Sequence, residues 1–372
     1  QRQMCIRDSY STASWLEDQD FWRFSGIFRD VYLYAIPEIH VRDMKITADF
    51  NYKNGSGIFS AELDIIGECD YSVKLTLTDI NGNKVYESDK ANVRATIPSV
   101  RPWSAEEPNL YILTAEIIAG GRIVETAETK VGFRAFELKN GLMYLNGKRI
   151  IFKGVNRHEF NAKTGRAITE EDMLWDIKFI KQNNMNAVRT SHYPNNSRWY
   201  QLCDEYGIYL IDETNLESHG TWQKMGACEP SINVPASLPE WKEACLDRAK
   251  SMYERDKNHP SVLIWSCGNE SYCGNDIAAM ADYFHKVDSA RLVHYEGVVW
   301  NRKYDHITDM ESRMYAKPAD IVEYLENAPK KPYISCEYMH AMGNSLGGMK
   351  LYTDLEDKYE SYQGGFIWDY ID

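Results

Sequence analysis

Glu270 and Glu337 each follow a short apolar run, Val262 to Trp265 and Pro332 to Ser335, that reads as a buried strand. Two carboxylates delivered to one cavity can divide an acid-assisted cleavage between them. One protonates the leaving oxygen and the other attacks carbon, which is what breaking a glycosidic bond requires. Other polar residues also follow apolar runs: His158 in Asn156-Arg-His-Glu, His192 in Arg189-Thr-Ser-His-Tyr, Glu213, Glu217, His219, Asn269, Tyr315, His340 and Trp368. A single His or Glu at a strand end is more often a satisfied structural residue than a working one. Recurrence after most of the runs argues for chemistry, because independent packing accidents do not repeat at the same end of every strand.

The elements that must hold these residues alternate between strand and helix. Strand-like runs fall at Ile150 to Val155, Ala187 to Thr190, Ile208 to Asp212, Val262 to Trp265, Leu292 to Tyr295, Ile307 to Met310, Pro332 to Cys336 and Gly365 to Trp368. Between the first two, Thr169 and Asp172 cap a helix with Met173, Ile177 and Ile180 on one face. A second helix, Ser197 to Tyr206, presents Trp199, Leu202, Cys203 and Tyr206 to the core and stops at Gly207. Eight strand and helix units predict a (β/α)8 TIM barrel over residues 135–372, and no glycine-rich dinucleotide loop competes for that reading. The chain reaches strand eight without a following helix, so Phe366 and Ile367 are expected to lack cover on one side.

Residues 37–134 keep a period of two, with runs at Ile58 to Ile66, Tyr71 to Asp79, Lys84 to Ser88, Asn109 to Ile118 and Ile123 to Val131. Short strands separated by turn signals predict an immunoglobulin-like β-sandwich. Within residues 1–36, Ser25 to Tyr34 alternates as a strand entered through Gly26 and reads as the tail of a further β domain. Met4-Cys5-Ile6-Arg7-Asp8 spells a translated library adapter, so residues 1–9 are set aside from fold reasoning.

A net charge of −13 offers no basic face for a nucleic-acid backbone, and no apolar run approaches the roughly 18 residues of a membrane span. The eight cysteines show no CxxC or Cys/His zinc spacing, and several lie inside apolar patterns as small hydrophobes. Free thiols predict a reducing, cytoplasmic setting.

Four segments carry a family resemblance. Asp256-Lys-Asn-His-Pro-Ser-Val-Leu-Ile-Trp-Ser-Cys-Gly-Asn-Glu270, Asn186-Ala-Val-Arg-Thr-Ser-His-Tyr-Pro-Asn195, Asp212-Glu-Thr-Asn-Leu-Glu-Ser-His-Gly220 and Cys336-Glu-Tyr-Met-His-Ala-Met-Gly-Asn-Ser345 resemble the signatures of glycoside hydrolase family 2 β-galactosidases, from about Trp15 to Asp372. The segment Leu16 to Val31 resembles the end of that family's jelly-roll domain. The resemblance implies a retaining hydrolase of terminal β-galactosides, with Glu270 as general acid/base and Glu337 as nucleophile. It implies Mg2+ held by Glu217, His219 and Glu270, and a Na+ ion at Asp20. It further implies Asp20, His158, His192, Asn269, Tyr315, His340 and Trp368 as substrate contacts, and a homo-oligomer for the longer protein. Another β-glycosidase such as a β-glucuronidase would need a basic clamp for its carboxylate, and no Asn-x-Lys clamp stands in the barrel region. A carbohydrate-binding protein without turnover would not need both acids.

Overall fold

The structure, a computed structural model, describes residues 12–19, 26–222 and 233–371. Seven antiparallel strands come first: β1 His40–Asn51, β2 Ser56–Ile66, β3 Ser72–Asp79, β4 Lys84–Ser88, β5 Asn92–Ile97, β6 Tyr111–Ala119 and β7 Arg122–Val131. They pair as a three-stranded sheet, β1-β2-β5, and a four-stranded one, β4-β3-β6-β7. Alternation supplies the core between them. Val73, Leu75 and Leu77 of β3 and Tyr111, Leu113, Ala115 and Ile117 of β6 point inward to meet Phe59 and Phe133. This is the immunoglobulin-like sandwich. β1 and β5 lie outside the runs that the sequence marks as strands, because β5 buries only Val93 and Ile97 and β1 has no fully buried residue.

A small antiparallel sheet follows, β8 Phe136–Lys139, β9 Leu142–Leu145 and β10 Lys148–Arg149. Asn140-Gly141 and Asn146-Gly147 turn it, all four with positive φ, as tight hairpins require. Phe136, Met143 and Leu145 join the apolar interior made by Phe152, Ile211, Ile264, Ile334 and Phe366. Gln363 clamps the hairpin by exchanging hydrogen bonds with the Met143 backbone, at 2.7 and 2.9 Å. The sequence placed one strand across Ile150 to Val155, whereas Ile150 and Ile151 belong to the link between hairpin and barrel.

The barrel strands are β11 Phe152–Asn156, β12 Ala187–Arg189, β13 Tyr209–Glu213, β14 Val262–Ser266, β15 Leu292–His294, β16 Glu311–Met314, β17 Tyr333–Tyr338 and β18 Tyr362–Ile367. All their pairings are parallel, in the order β15-β14-β13-β12-β11-β18-β17-β16. Helices α1 Glu170–Gln182, α2 Ser197–Tyr206, α3 His219–Trp222, α4 Lys242–Asp256, α5 Asn275–Val287, α6 Pro318–Glu326 and α7 Lys350–Lys358 fill the connections. The α1 capping box forms as the Thr169 and Asp172 pair predicts, and Gly207 ends α2 with φ +75°. Tyr206 departs from expectation and stays exposed on the last turn of α2.

The ring ladder opens only between β15 and β16. There Asp309 bridges: its N–H donates to the Val293 carbonyl at 2.9 Å and its Oδ2 accepts the Val293 N–H at 2.7 Å. The sixth strand begins at Glu311, whose N–H donates to the Pro332 carbonyl at 2.8 Å beside β17. Ile307 and Met310, buried as expected, lie before it rather than in it. Phe366, expected to lack cover, is fully buried inside the barrel against Phe152. A Cβ on Gly154 would fall 2.3 Å from its ring, so this glycine makes the space.

Residues 26–39 form no strand, against the alternation at Ser25 to Tyr34. A strand exists only by pairing, and no strand among the described residues lies beside this one. Arg29 instead pins the segment to the barrel, donating to Glu159 at 2.9 Å and to the Pro194 carbonyl at 2.8 Å.

Outside the ring, buried Asp212 accepts a 2.6 Å hydrogen bond from Tyr200 of α2. Burial first, and the neighbouring Asp256 second, hold its carboxyl well above the usual range. The folded chain therefore keeps a proton that the unfolded chain releases near pH ~3.9, and stability falls as pH rises from there through the folded pKa. Asp212→Asn keeps the Tyr200 bond and removes the titration. We expect its melting temperature to exceed the parent's at pH 8 and to approach it at pH 4; an equal difference at both would contradict the assignment.

Candidate active site

The polar residues cluster at one end of the barrel because strand register puts them there. Asn156 pairs with Arg189, and Glu213 pairs with Ser266, which pairs with His294. These are last or next-to-last residues of β11 to β15, so they form one polar layer above the apolar interior.

Arg189 is the hub. It is fully buried and spends all five N–H groups: Nε and Nη2 on Glu213 at 2.7 and 2.9 Å, Nη1 on Glu337 at 2.7 Å and Asn156 at 3.0 Å, and Nη2 on Asn269 at 2.7 Å. One permanent cation thus lies between two acids. Tyr315, directly after β16, donates its hydroxyl to the other Glu337 oxygen at 2.7 Å. Burial and the Glu337 charge push the Tyr315 phenol up, which keeps it a donor. Held by two donors, one on each oxygen, Glu337 is fixed in orientation.

Glu270 sits four residues past β14 with φ +33°, a left-handed conformation that needs support in a non-glycine residue. The buried Glu296 supplies it by accepting the Glu270 N–H at 2.8 Å. Burial raises the Glu296 carboxyl to about 8, against the pull of Arg189.

Glu217 lies between two isolated parallel bridges, one to Glu17 and one to Asn269. Its N–H donates to the Leu16 carbonyl and its carbonyl accepts from Asp18, both at 2.9 Å. Asp18 then takes the Gly220 N–H at 2.6 Å, just past His219. The short segment Leu16 to Asp18 therefore fixes the backbone on which Glu217 and His219 stand. Ligand atoms of Glu217, His219 and Glu270 all lie within 4.8 Å of one another. Both Glu217 oxygens are buried without a hydrogen-bond partner, and burial, then the Glu270 charge, raises its carboxyl well above the ordinary range. Two crowded acids and an imidazole, one acid lacking donors, fit a divalent cation.

His192 stacks on Trp368, with ring centroids 5.1 Å apart and planes 5° from parallel. His158 meets Trp368 edge-on at 5.5 Å. Burial first lowers both imidazoles well below their ordinary pKa, so both are neutral. Trp368 is buried, and His192 covers one of its faces. His340 is exposed, with its ring 5.5 Å from that of Tyr315. The structure thus brings Glu217, His219, Asn269, Glu270, Tyr315 and Glu337 together, joined by His158, His192 and Trp368, and leaves His340 at the rim. Asp20 lies outside the described residues.

Sequence marked Glu213 only as a polar strand end, and it missed the hub role of Arg189, the carboxylate Glu296 and the polar pair Ser266 and His294. Their signal was charge or polarity at the end of an apolar run, which alone does not separate a support from a contact.

A parallel eight-stranded barrel with one carboxylate just past its fourth strand and another at the end of its seventh is the architecture of a glycoside-cleaving barrel. Residues 136–372 match the model for the TIM barrel domain of glycosyl hydrolases family 2, and residues 39–134 match a second model of glycosyl hydrolases family 2. The chain belongs to glycosyl hydrolase family 2. It is 61% identical over 392 residues to a β-galactosidase of Streptococcus thermophilus, covering 98% of this chain and 38% of that one. It is 63% identical over 371 residues to a β-galactosidase of Clostridium acetobutylicum, covering 97% of this chain and 41% of that one. The chain thus spans about two fifths of the length of these relatives. Its fold also resembles a β-glucuronidase of Ruminococcus gnavus, with a TM-score of 0.78 at 22% identity, covering 90% of this chain and 62% of the other. No helix among the described residues is long and apolar enough to cross a membrane.

Proposed function

We propose that the intact protein hydrolyses terminal β-galactosides, lactose-type substrates included, with retention by double displacement. The observation that carries this is Glu337 held between Arg189 and Tyr315 at the end of β17. Identity above 60% to two β-galactosidases supports this reading over that of the structural neighbour, a β-glucuronidase at 22% identity.

Glu337 attacks the anomeric carbon and forms a glycosyl ester while Glu270 gives its proton to the leaving oxygen. Glu270 then takes a proton from water, which cleaves the ester and restores both acids. Asn269 has its Oδ1 committed to Arg189, so its two amide N–H groups are what it has to offer to neighbouring Glu217 and to a sugar hydroxyl. His158, His192, His340 and Asp20 complete the proposed substrate contacts, and Trp368 forms the wall behind the two histidines. A 2-fluoro β-galactoside with a good leaving group tests the reading, since it should trap an ester on Glu337 of the intact protein. Labelling at any other residue would overturn it.

Glu217, His219 and Glu270 are the proposed holders of Mg2+, and Asp20 of Na+. Bound Mg2+ supplies positive charge beside Glu270. Because Asp18 fixes the backbone after His219, we expect Asp18→Ala to weaken Mg2+ binding to chelator-stripped intact protein roughly 10-fold by calorimetry. Unchanged affinity would show that the Leu16 to Asp18 segment does not organise the site. The proposed partner surface is that of a homo-oligomer of the intact protein, which light scattering would test.

A further inference from the structure

Glu213 is outside the proposed pair of acids, yet both of its oxygens are fully engaged. Its Oε2 accepts from Arg189 Nε and Ser266 Oγ, each at 2.7 Å, and its Oε1 accepts from Arg189 Nη2 at 2.9 Å and meets His192 Nδ1 at 2.7 Å. Arg189 is always a donor, so both oxygens already serve as acceptors of a bidentate cation. An anion so placed requires a proton on the nitrogen that faces it.

We infer that Glu213 is a positioning residue that holds His192 as the Nδ1–H tautomer, so that bare Nε2 faces the cavity as a hydrogen-bond acceptor for a sugar hydroxyl. The groups around the ring agree. Nε2 stands 3.7 Å from Glu337 Oε1, too far for the hydrogen bond that an Nε2–H would be drawn to make with that carboxylate. Arg189 faces Glu213 from β12, His158 packs edge-on at 5.8 Å, Trp368 covers one ring face, and among the described residues no acceptor other than Glu213 stands at Nδ1.

The same anion fixes a second proton. Ser266 gives its only hydrogen to Glu213, so its oxygen must accept from His294 Nδ1–H at 2.9 Å. His294 Nε2 must then accept from Ser312 Oγ–H at 2.8 Å. One carboxylate therefore orients protons from the cavity wall to the seam between β15 and β16.

A bare Nε2 distinguishes a hydroxyl from a fluorine, because fluorine cannot donate. This inference rests on the proposed galactoside specificity, and the test separates the two. Binding of galactose and its four monodeoxyfluoro analogues to the intact protein should show one position where fluorine weakens affinity roughly 10-fold. That penalty should vanish in His192→Phe, which keeps a ring against Trp368, and shrink in Glu213→Gln, which removes the anion. A penalty of equal size in all three proteins would overturn the inference. Should Glu213→Gln fail to fold, nitrogen-15 NMR or neutron diffraction of the parent still decides: a proton on Nδ1 of His192 supports the inference, and one on Nε2 overturns it. If galactose does not bind at all, the functional reading has failed; if it binds and the proton sits on Nε2, only this inference has.

Discussion

Replacing Glu337 by Gln will lower turnover of an aryl β-galactoside by on the order of 10^5-fold while leaving substrate affinity within about 10-fold of the parent. The amide keeps the shape of the carboxylate and can still accept from Tyr315 or Arg189, so the pocket persists. What it loses is the anionic oxygen that forms the glycosyl ester, and no other acid touches both of those donors. Single-turnover kinetics with direct binding by calorimetry reads both quantities. Retention of more than about one thousandth of the activity, with wild-type contamination excluded, would show that Glu337 is not the nucleophile.

The second large effect is structural as much as catalytic. Arg189→Met fills much of the side-chain volume but withdraws five donors at once and leaves Glu213 and Glu337 without their shared cation. Removing one partner of a buried ion pair costs roughly 3 to 5 kcal/mol, mostly from the charge left behind. We expect a loss of at least that size in denaturant unfolding of the intact protein, together with collapse of kcat. The double variant Arg189→Met with Glu213→Leu should recover part of the stability and none of the activity, since Glu337 still lacks its donor. If the single variant unfolds at the parent's midpoint, the hub geometry is wrong.

The chemistry of this site was readable in the chain because catalytic residues at strand ends interrupt apolar runs, and those interruptions survive in one dimension. Glu270, Glu337, Glu217 and His219 announce themselves that way, and the eight-unit rhythm follows from alternating periods of two and 3.6. Supports such as Glu296 and Ser266 look the same in sequence as solvated residues or packed ones. Their meaning depends on which strand lies beside them, and register is a long-range property. Asp309 makes the point. It reads as a residue inside strand six, yet in the structure it bridges to Val293 and the strand starts at Glu311.

Local pattern also misjudged Ser25 to Tyr34. Its alternation is real, but a strand's hydrogen bonds come from a neighbouring strand, and this segment is tied to the barrel instead by the Arg29 side chain at Glu159 and the Pro194 carbonyl. Side-chain type and period by themselves determined the sandwich followed by a barrel and marked the two acids at strand ends, whereas the proposed cation ligands came from family resemblance. Only tertiary structure decided that Arg189 joins Glu213 to Glu337, that Leu16 to Asp18 braces the ligand segment, and that Phe366 is buried. Each of those depends on contacts between residues far apart in the chain, where the free energy lies in burial and in hydrogen bonds that no local window contains.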